Sequence, residues 1–331
     1  MKKAIFGGWI VSFAIVSLLF VGSTVHGADT AIKMRFASAS FPGLPTYAMT
    51  NKFVEVMKEK SNGRILIQAI QQRKLGADLD LIELVKGGAV DMANVSTAVF
   101  DGFVPDLDAL QLPFLIKDYD ALQKVFLADY TTKLLSVLEK LHMHGIGLNE
   151  NGLRGLANNV RPIYKPADLK NIKLRVGECK MHQEIFSALG AIPIPISYGE
   201  IYTSLKTGVI SGTEINATSA ASEKLMEVIK YYATTGHFFW PSVAIINLKT
   251  WNKLSPEDRK LFEDTWRELI PWQINICRTQ DAKAMKTMKK RGIVITNPDK
   301  KAFYDKCEFI YQKYMKYPAI DEFVKSVRAM Q

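Results

Sequence analysis

The stretch from residue 172 to residue 219 alternates between short apolar runs and helical patterns, and a turn residue marks each junction. Short apolar runs between turns indicate buried strands. Strands that alternate with helices over short connections are typical of parallel sheets, which bind ligands at the carboxyl ends of their strands. The predicted elements are strand 172–176, helix 181–189 before Gly190, strand 192–196, a helix between Ser197 and Gly208, and strand 209–215.

Two local signals refine this prediction. Pro193 and Pro195 have no amide hydrogen to donate to a neighbouring strand, which predicts an edge position for 192–196 and not a central one. Ser197 followed by Glu200 has the spacing of a capping box, in which each side chain satisfies a backbone N–H of the first helical turn.

The chain before this stretch repeats the same alternation. Residues 32–95 predict two strand-helix-strand units, with Asp78 as a candidate cap of the second helix. Further predicted elements are a helix over 119–141, strands 145–148 and 153–157 on either side of a turn or a crossing between lobes at Asn151, a helix over 222–232 and a buried strand over 241–248.

A long helix is predicted near the carboxyl end. Ser255 is a candidate N-cap, Pro256 suits the first helical position, and the pattern continues to Lys290. At ~1.5 Å per residue such a helix spans about 50 Å, more than one small domain, so we expect a strut shared by two lobes. Pro271 inside it predicts a kink.

The amino terminus has the pattern of a secretory signal peptide. Lys2 and Lys3 precede an uncharged, mostly apolar run over 4–21, and small residues near 25–28 offer a cleavage site. The alternative is a membrane anchor, because the run approaches the ~17 residues that a short span needs. The sequence therefore predicts residues 1–27 as a cleaved signal peptide and a periplasmic location for the mature protein.

Composition leaves several partner classes open. The chain has 331 residues and 48% hydrophobic content, enough for two domains. Without Lys2 and Lys3, the 43 basic residues become 41 against 33 acids, a net charge of +8. Such an excess suits an anionic ligand or simply a solvated surface; nucleic acid is not expected for an exported protein. The three cysteines lack metal-site spacing, and one bridge, Cys277–Cys307, is conceivable in an oxidising compartment.

Motifs for catalysis or cofactors are absent from the sequence. It contains no phosphate loop, dinucleotide fingerprint, zinc-type spacing or nucleophile elbow. His142 and His144 have no evident carboxylate partner, and Cys179 with His182 lacks an orienting group for a nucleophile. We therefore predict no cofactor and no metal.

Arginines at strand ends supply the clearest binding chemistry. A guanidinium group grips a carboxylate through two parallel hydrogen bonds, which lysine cannot do. Arg175 ends one predicted strand and Arg154 begins another. Periodicity alone does not decide whether either arginine binds a ligand or is only solvated.

Several ordered blocks of the mature chain resemble a known family. They read RKLGADLDLIELVKGGAVDMANVSTAVF, NGLRGLANNVRPIYKPADLKNIKLRV, ALGAIPIPISYGEIYTSLKTGVISGTE and WNKLSPEDR. They resemble the solute-binding proteins of tripartite ATP-independent periplasmic (TRAP) transporters, the DctP-like family. The resemblance implies an α/β, two-lobed periplasmic-binding-protein-like fold with crossing segments and a long shared helix. The corresponding lobes are 28–152 plus 241–279 and 153–240 plus 280–331.

The resemblance also implies a set of ligand-binding residues. Arg175 in KLRV corresponds to the family's principal carboxylate-binding arginine, and Arg154 in NGLR to a second basic group. Tyr198 stands where the family has a stacking aromatic, and Asp78 where related proteins often have a glutamate. Glu178 is expected near the ligand or near Arg175.

One departure affects the expected ligand. Where many members read G-Q-E-N-P, this chain has Ile215 at the position of the usual asparagine and Asn216 one place later. Either Asn216 replaces that contact, or the pocket gains an apolar wall. Phe41 and Trp240 are candidate lining aromatics, with core positions as the alternative. If they line the cleft with Ile215, the ligand is a monocarboxylate with an apolar or aromatic body, and not a sugar acid or a dicarboxylate.

The predicted function is that of an exported receptor for an organic acid. It would deliver its ligand to the membrane subunits of a TRAP permease and would not be an enzyme. The alternatives are an ABC-type or sensor-linked receptor, or a secreted hydrolase or lyase that uses Asp78, Glu178, His182 and Cys179.

Overall fold

The computed structural model describes Met1 and residues 31–331. Apart from Met1, the predicted signal peptide lies outside the described residues. Within the described part of the chain, no helix combines the length and apolar character that a membrane crossing requires.

Ten strands and eleven α-helices make up the described chain. The strands are β1 (Ile32–Ser38), β2 (Ile65–Ile70), β3 (Met92–Ser96), β4 (Met143–Asn158), β5 (Lys173–Val176), β6 (Ile192–Pro195), β7 (Gly212–Asn216), β8 (Tyr231–Ala233), β9 (Phe239–Asn247) and β10 (Val294–Thr296). The helices are α1 (Pro45–Lys60), α2 (Asp78–Lys86), α3 (Tyr119–Leu127), α4 (Asp129–Leu135), α5 (Lys180–Ala188), α6 (Ile201–Thr207), α7 (Ala217–Ser222), α8 (Leu248–Lys253), α9 (Pro256–Lys290), α10 (Lys300–Tyr314) and α11 (Pro318–Ala329).

The strands form two sheets that share β4. The first sheet has the order β2-β1-β3-β9-β4, with β1 parallel to β2 and to β3. The second sheet continues from the last part of β4 through β7 and β5 to β6, while β8 and β10 extend it on another side. Between Glu150 and Leu153 the register of β4 against β9 shifts. The long strand β4 therefore passes from one sheet to the other.

The stretch 172–219 folds as predicted, with one difference in detail. Strands β5, β6 and β7 alternate with α5 and α6, and β6 lies at the edge of the sheet. The capping box is not formed, because a 3₁₀ turn over Tyr198–Glu200 precedes α6 and the side chain of Ser197 makes no cap hydrogen bond. Gly208 ends α6 in the left-handed conformation, with φ of 78°.

Three other predictions of secondary structure are wrong. The helix predicted over 119–141 is divided into α3, α4 and a 3₁₀ turn. The two strands predicted on either side of Asn151 are one strand, β4, so the turn between them is wrong, whereas the alternative, a crossing at Asn151, is present. The helix predicted over 222–232 gives way to a 3₁₀ turn and β8, because pairing with β4 and β10 overrides the local helical pattern.

Helix α9 contacts elements of both sheets. It runs for 35 residues and packs against α1 and β4, and also against α7 and β10. Ser255 caps it by accepting a hydrogen bond from the N–H of Asp258 at 3.1 Å. It is the predicted shared strut; the kink at Pro271 and the residue boundaries of the two lobes remain predictions.

The cysteines do not pair. Cys179, Cys277 and Cys307 are free and buried. The thiol of Cys277 donates to the carbonyl oxygen of Glu150 at 3.3 Å, while Cys307 lies on the buried face of α10, in the hydrophobic core. Burial raises the pKa of the Cys307 thiol to about 12.

Candidate functional site

A cavity of about 300 Å³ lies between the two sheets. One wall comes from residues that follow β1, β2 and β3, and the other from β4, β5 and the segments after β5 and β6. The cavity is therefore bordered by the carboxyl ends of parallel strands from both sheets, where such sheets place their ligands. We call the two sides the first-sheet wall and the second-sheet wall.

Two buried arginines form the base of the second-sheet wall. Arg154 in β4 and Arg175 in β5 line the cavity, and each is 3% exposed. Arg154 Nε donates to Glu214 Oε2 at 2.6 Å, and its Nη1 donates to Asn216 Oδ1 at 3.3 Å. Arg175 Nε donates to the carbonyl oxygen of Ile196 at 2.8 Å, and its Nη1 to Glu214 Oε1 at 3.5 Å.

The charges of this cluster do not cancel. Arg154 and Arg175 share the single carboxyl group of Glu214, which is fully buried. Burial lowers the pKa of Arg175 to about 10, against the opposing effect of Glu214, so the guanidinium stays charged at neutral pH. Its Nη2 makes no hydrogen bond to another described residue. The cluster can therefore accept one further anionic group from the cavity.

Trp240 covers Arg154 from the side. The guanidinium carbon of Arg154 lies 4.1 Å from the centroid of the Trp240 ring, a cation–π contact. Behind the indole, His182 lies with its ring centroid 5.3 Å away. A β-carbon on Gly177 would come within 2.9 Å of the indole, so this position leaves room for Trp240. The absence of a side chain at residue 177 thus helps to set the shape of the second-sheet wall.

Acidic groups line the first-sheet wall. Asp78 is the first residue of α2, and its Oδ2 accepts a hydrogen bond from the N–H of Ser96 at 2.9 Å. Burial raises the pKa of Asp78 to about 6, although the bond from Ser96 and the charge of Arg73 oppose the shift. Asp78 is not the N-cap; the side chain of Asp80 accepts the N–H of Ala77 instead. Glu178, an exposed residue on the other side, also lines the cavity.

Three predicted site residues lie outside the lining. In β7, side chains alternate between faces, so Glu214 and Asn216 point toward Arg154 while Ile215 packs in the second hydrophobic core. Asn216 supports Arg154 and does not line the cavity, and the apolar wall expected from Ile215 is not formed. Phe41 does not line the cavity itself; its ring centroid lies 4.7 Å from the guanidinium carbon of Arg73, which does.

Several residues of the site escaped prediction. Glu214, the shared partner of the two arginines, has a signal in the sequence: it is two residues from Asn216 and therefore on the same face of a strand. Asn151 joins the crossing strands, because its Nδ2 donates to Ser242 Oγ at 2.8 Å and to the carbonyl oxygen of Trp240 at 3.1 Å. For Arg73, no pattern in the neighbouring sequence indicates that its side chain belongs to the site.

A second buried glutamate lies where the sheets meet. Glu150 Oε1 accepts the N–H groups of Gly152 and Trp240, each at 2.7 Å. Its Oε2 has no partner among the described residues. Burial raises the pKa of Glu150 to about 8. This carboxyl group joins β4 to β9 at the crossing. Nowhere among residues 31–331 are three or more His, Cys, Asp or Glu side chains arranged to hold a metal ion.

Known proteins with this architecture are numerous. Residues 36–317 match the family model described as bacterial extracellular solute-binding protein, family 7 (DctP). The 2,3-diketo-L-gulonate-binding periplasmic protein YiaO of Escherichia coli is 30% identical over 83% of this chain and 84% of its own. The C4-dicarboxylate-binding periplasmic protein DctP of Rhodobacter capsulatus is 29% identical over 83% and 82%.

The fold comparison agrees with the sequence comparison. A TRAP periplasmic solute-binding protein of Roseobacter denitrificans with bound β-D-glucuronate superposes with a TM-score of 0.85 at 26% identity, covering 90% of this chain and 100% of that one. The two-lobed architecture and the family predicted from the sequence blocks are thus confirmed. The chain belongs to family 7 of the bacterial extracellular solute-binding proteins, the DctP family of TRAP transporter receptors.

Proposed function

We propose that this protein is a periplasmic receptor that binds a hydroxylated monocarboxylate in the cavity and delivers it to the membrane subunits of a TRAP permease. The observation that carries the proposal is the buried pair Arg154 and Arg175 with one shared acid, Glu214. A ligand carboxylate would supply the second negative charge and accept two hydrogen bonds from Arg175. This interaction would be strong because both guanidinium groups are removed from water.

The lining of the cavity favours a polar ligand body over an apolar one. Trp240 and Tyr198 are the aromatic residues among those that line it, whereas Phe238 and Phe239 belong to the core. Hydroxyl and amide groups are frequent around the rest of the surface. They are Ser40, Thr46, Asn94, Ser96, Asn151, Ser197, Ser219 and Ser242. The condition for an apolar or aromatic acid, an Ile215 wall, is not met. The 2,3-diketo-L-gulonate and β-D-glucuronate of two relatives are acids of the proposed class.

An enzymatic role has less support from the same residues. Cys179 is buried, and its pKa is raised well above its usual value by burial and by the charge of Asp101, which disfavours the reactive thiolate. Burial lowers the pKa of His182 to about 3, and neither ring nitrogen has a partner among the described residues. A nucleophile with a general base is therefore not assembled here. Family members are solute-binding proteins and not enzymes.

The decisive experiment is thermal unfolding of residues 28–331 with a panel of acids. The panel contains D-glucuronate, D-galacturonate, succinate, pantoate and phenylacetate, and the protein is first unfolded and refolded to remove trapped ligand. A ligand at ~100 times its Kd stabilises by about 2.7 kcal/mol, which is a shift of several degrees in Tm. We expect the largest shift with a uronate. A shift with phenylacetate alone would contradict the proposed ligand class, and no shift with any acid would count against the role of Arg175. A neighbouring gene for an ATPase would instead favour the ABC-type alternative.

A further inference from the structure

Arg73 occupies an unusual backbone conformation at the edge of the cavity. It lies in the loop between β2 and α2, where Gln72 and Arg73 both have positive φ, 67° and 56°. Residues other than glycine rarely adopt this region, and consecutive cases are a form of local strain that marks functional segments. The N–H of Gln72 donates to the carbonyl oxygen of Ser40 at 3.0 Å, and that of Gly76 to the carbonyl oxygen of Arg73 at 3.1 Å. These bonds hold the loop in the strained turn.

The side chain of Arg73 reaches from the first-sheet wall to the second-sheet wall. Its Nη2 pairs with Glu223 Oε1 at 3.1 Å, just after α7. Its guanidinium carbon lies 4.7 Å from the ring centroid of Phe41 and 5.0 Å from that of Tyr198. A β-carbon on Gly199 would lie 3.5 Å from Arg73 Nε, so the side chain also packs over this glycine. One cation is thus held between aromatic rings from opposite sides of the cleft.

The contacts of Arg73 with Glu223 and Tyr198 are separate from the elements that connect the two sheets covalently. The chain passes between the sheets within β4, between β8 and β9, and again through α9, which leads to β10 and packs on both sheets. Arg73 and Glu223 belong to none of these, and their side chains are 24% and 16% exposed. Movement of the two walls apart would therefore break the ion pair and one of the two cation–π contacts. Its partial burial makes the pair stronger than one on the open surface.

We propose that Arg73 is a positioning residue that latches the cleft shut by pairing with Glu223 and Tyr198 across its mouth. The strained loop directs the guanidinium toward these partners, and the latch keeps a closed form populated even in the ligand-free protein. When a ligand is bound, the latch slows its release; this second consequence rests on the proposed function. The competing interpretation is that Arg73, as a cavity residue, binds the ligand directly as a third cation.

The first test needs no ligand and therefore stands whatever the protein binds. Nitroxide labels are placed at Lys86→Cys in α2 and Lys206→Cys in α6, two exposed positions on opposite sides. The native thiols are buried and do not compete for the label. Distance distributions are then measured by pulsed electron paramagnetic resonance for the wild-type background, Arg73→Met, Glu223→Gln and the double variant.

We expect a short-distance population in the wild-type background. It falls by about three- to tenfold in each single variant, and the double variant falls no further, because the two residues act through one contact. The control is Lys313→Met, which removes an ion pair between α10 and Glu184 of α5, away from the cavity. Distributions that coincide for all proteins, or additive losses in the double variant, would overturn the latch.

The second test separates a latch from direct ligand binding, with D-glucuronate as the probe. Stopped-flow tryptophan fluorescence measures the release rate for the same four proteins. A latch predicts that Arg73→Met and Glu223→Gln each accelerate release by a similar factor. Direct binding predicts that Arg73→Met weakens affinity while Glu223→Gln, which frees the guanidinium, leaves it unchanged or tightens it. If D-glucuronate does not bind, the proposed ligand class fails while the label distances still decide the latch.

Discussion

The two walls of the cavity hold their polar groups in different ways. On the second-sheet wall, Arg154 and Arg175 are carried by strands and fixed by Glu214, with all three side chains buried. On the first-sheet wall, Arg73 lies in a loop and Asp78 at the start of α2, where the backbone N–H of Ser96 donates to its carboxyl group. The strands of a sheet fix the backbone of the two arginines, whereas the loop that carries Arg73 can change its conformation. We infer that the second-sheet wall recognises the carboxylate and that the first-sheet wall controls closure and the choice of ligand body.

The largest expected effect is on the second-sheet wall. Arg175→Ala should lower the affinity for the ligand by at least about a hundredfold, because the buried carboxylate would lose its charged partner. Arg175→Lys should recover only part of it, since an ammonium group cannot form two parallel bonds. Isothermal calorimetry with the acid that stabilises the protein most measures both.

The matched control is Arg278→Ala, an arginine with a half-exposed side chain on α9 outside the cavity. It should leave the affinity unchanged. Near-normal affinity in Arg175→Ala would refute the assignment of this wall to carboxylate recognition.

The next effect separates stability from binding on the same wall. Glu214→Gln leaves two buried guanidinium groups without an acid and should lower the free energy of unfolding by about 3 kcal/mol. The bound carboxylate would then be the only anion in the cluster. The Tm shift caused by ligand should therefore be larger in the variant than in the wild type. Equal stability of the two proteins in urea unfolding would mean that Glu214 is not the counter-charge of the arginines.

These residues also mark the limits of prediction from sequence. The strand-helix alternation predicts β5, β6 and β7, because the apolar periods are local. Arg175 at a strand end followed from that pattern together with the family blocks. The role of Glu214 depends on β4 pairing with β7, which brings Arg154 opposite Asn216 in the register. Such pairing joins segments about 60 residues apart, and no local period encodes it.

The roles of residues on the first-sheet wall were harder to predict from the sequence, for a different reason. Arg73 reaches the second-sheet wall through two residues with positive φ that are not glycines, and sequence patterns announce such turns mainly through glycine. Likewise, the partner of Asp78 is an amide hydrogen, which every residue but proline has. Ile215 was assigned to the cavity from its position in the family motif. The alternation of side chains along β7 instead directs it into the hydrophobic core.

A smaller effect tests the shape of the second-sheet wall. Gly177→Ala places a β-carbon 2.9 Å from the indole of Trp240, and relief of this clash should cost about 1–2 kcal/mol of stability. Trp240 would move from Arg154, and its fluorescence should change. The control is Gly199→Ala in the same cavity, where the nearest atom is 3.5 Å away. Identical emission spectra and Tm values for both variants would show that Trp240 is not held by this contact.

The smallest effect tests the first-sheet wall through its pH dependence. The pKa of Asp78 is raised to about 6 from 3.8, so the folded state favours the protonated form. Its contribution to the free energy of unfolding is therefore greatest below pH 4 and is lost as the pH rises to about 6. Asp78→Asn retains an oxygen for the N–H of Ser96 and removes the ionisation. The variant should match the stability of the wild type near pH 4 and exceed it above pH 7 by about 1 kcal/mol, less than the full pKa shift implies because Asp78 is only partly buried.

The same variant distinguishes a repelling acid from a hydroxyl acceptor on this wall. Ionised Asp78 repels any carboxylate in the cavity, so Asp78→Asn should tighten the binding of a small acid without hydroxyl groups, such as propionate. If Asp78 accepts a hydrogen bond from a ligand hydroxyl, the affinity for D-glucuronate should instead fall, since an amide is a weaker acceptor than a carboxylate. Opposite signs for the two acids would assign the choice of ligand body to this wall. Equal changes in affinity for both acids would mean that Asp78 acts only through its charge. The choice of ligand body would then belong to the second-sheet wall. Asp118→Asn, an exposed acid outside the cavity that accepts the N–H of Ala121 at 2.8 Å, provides the control for both measurements.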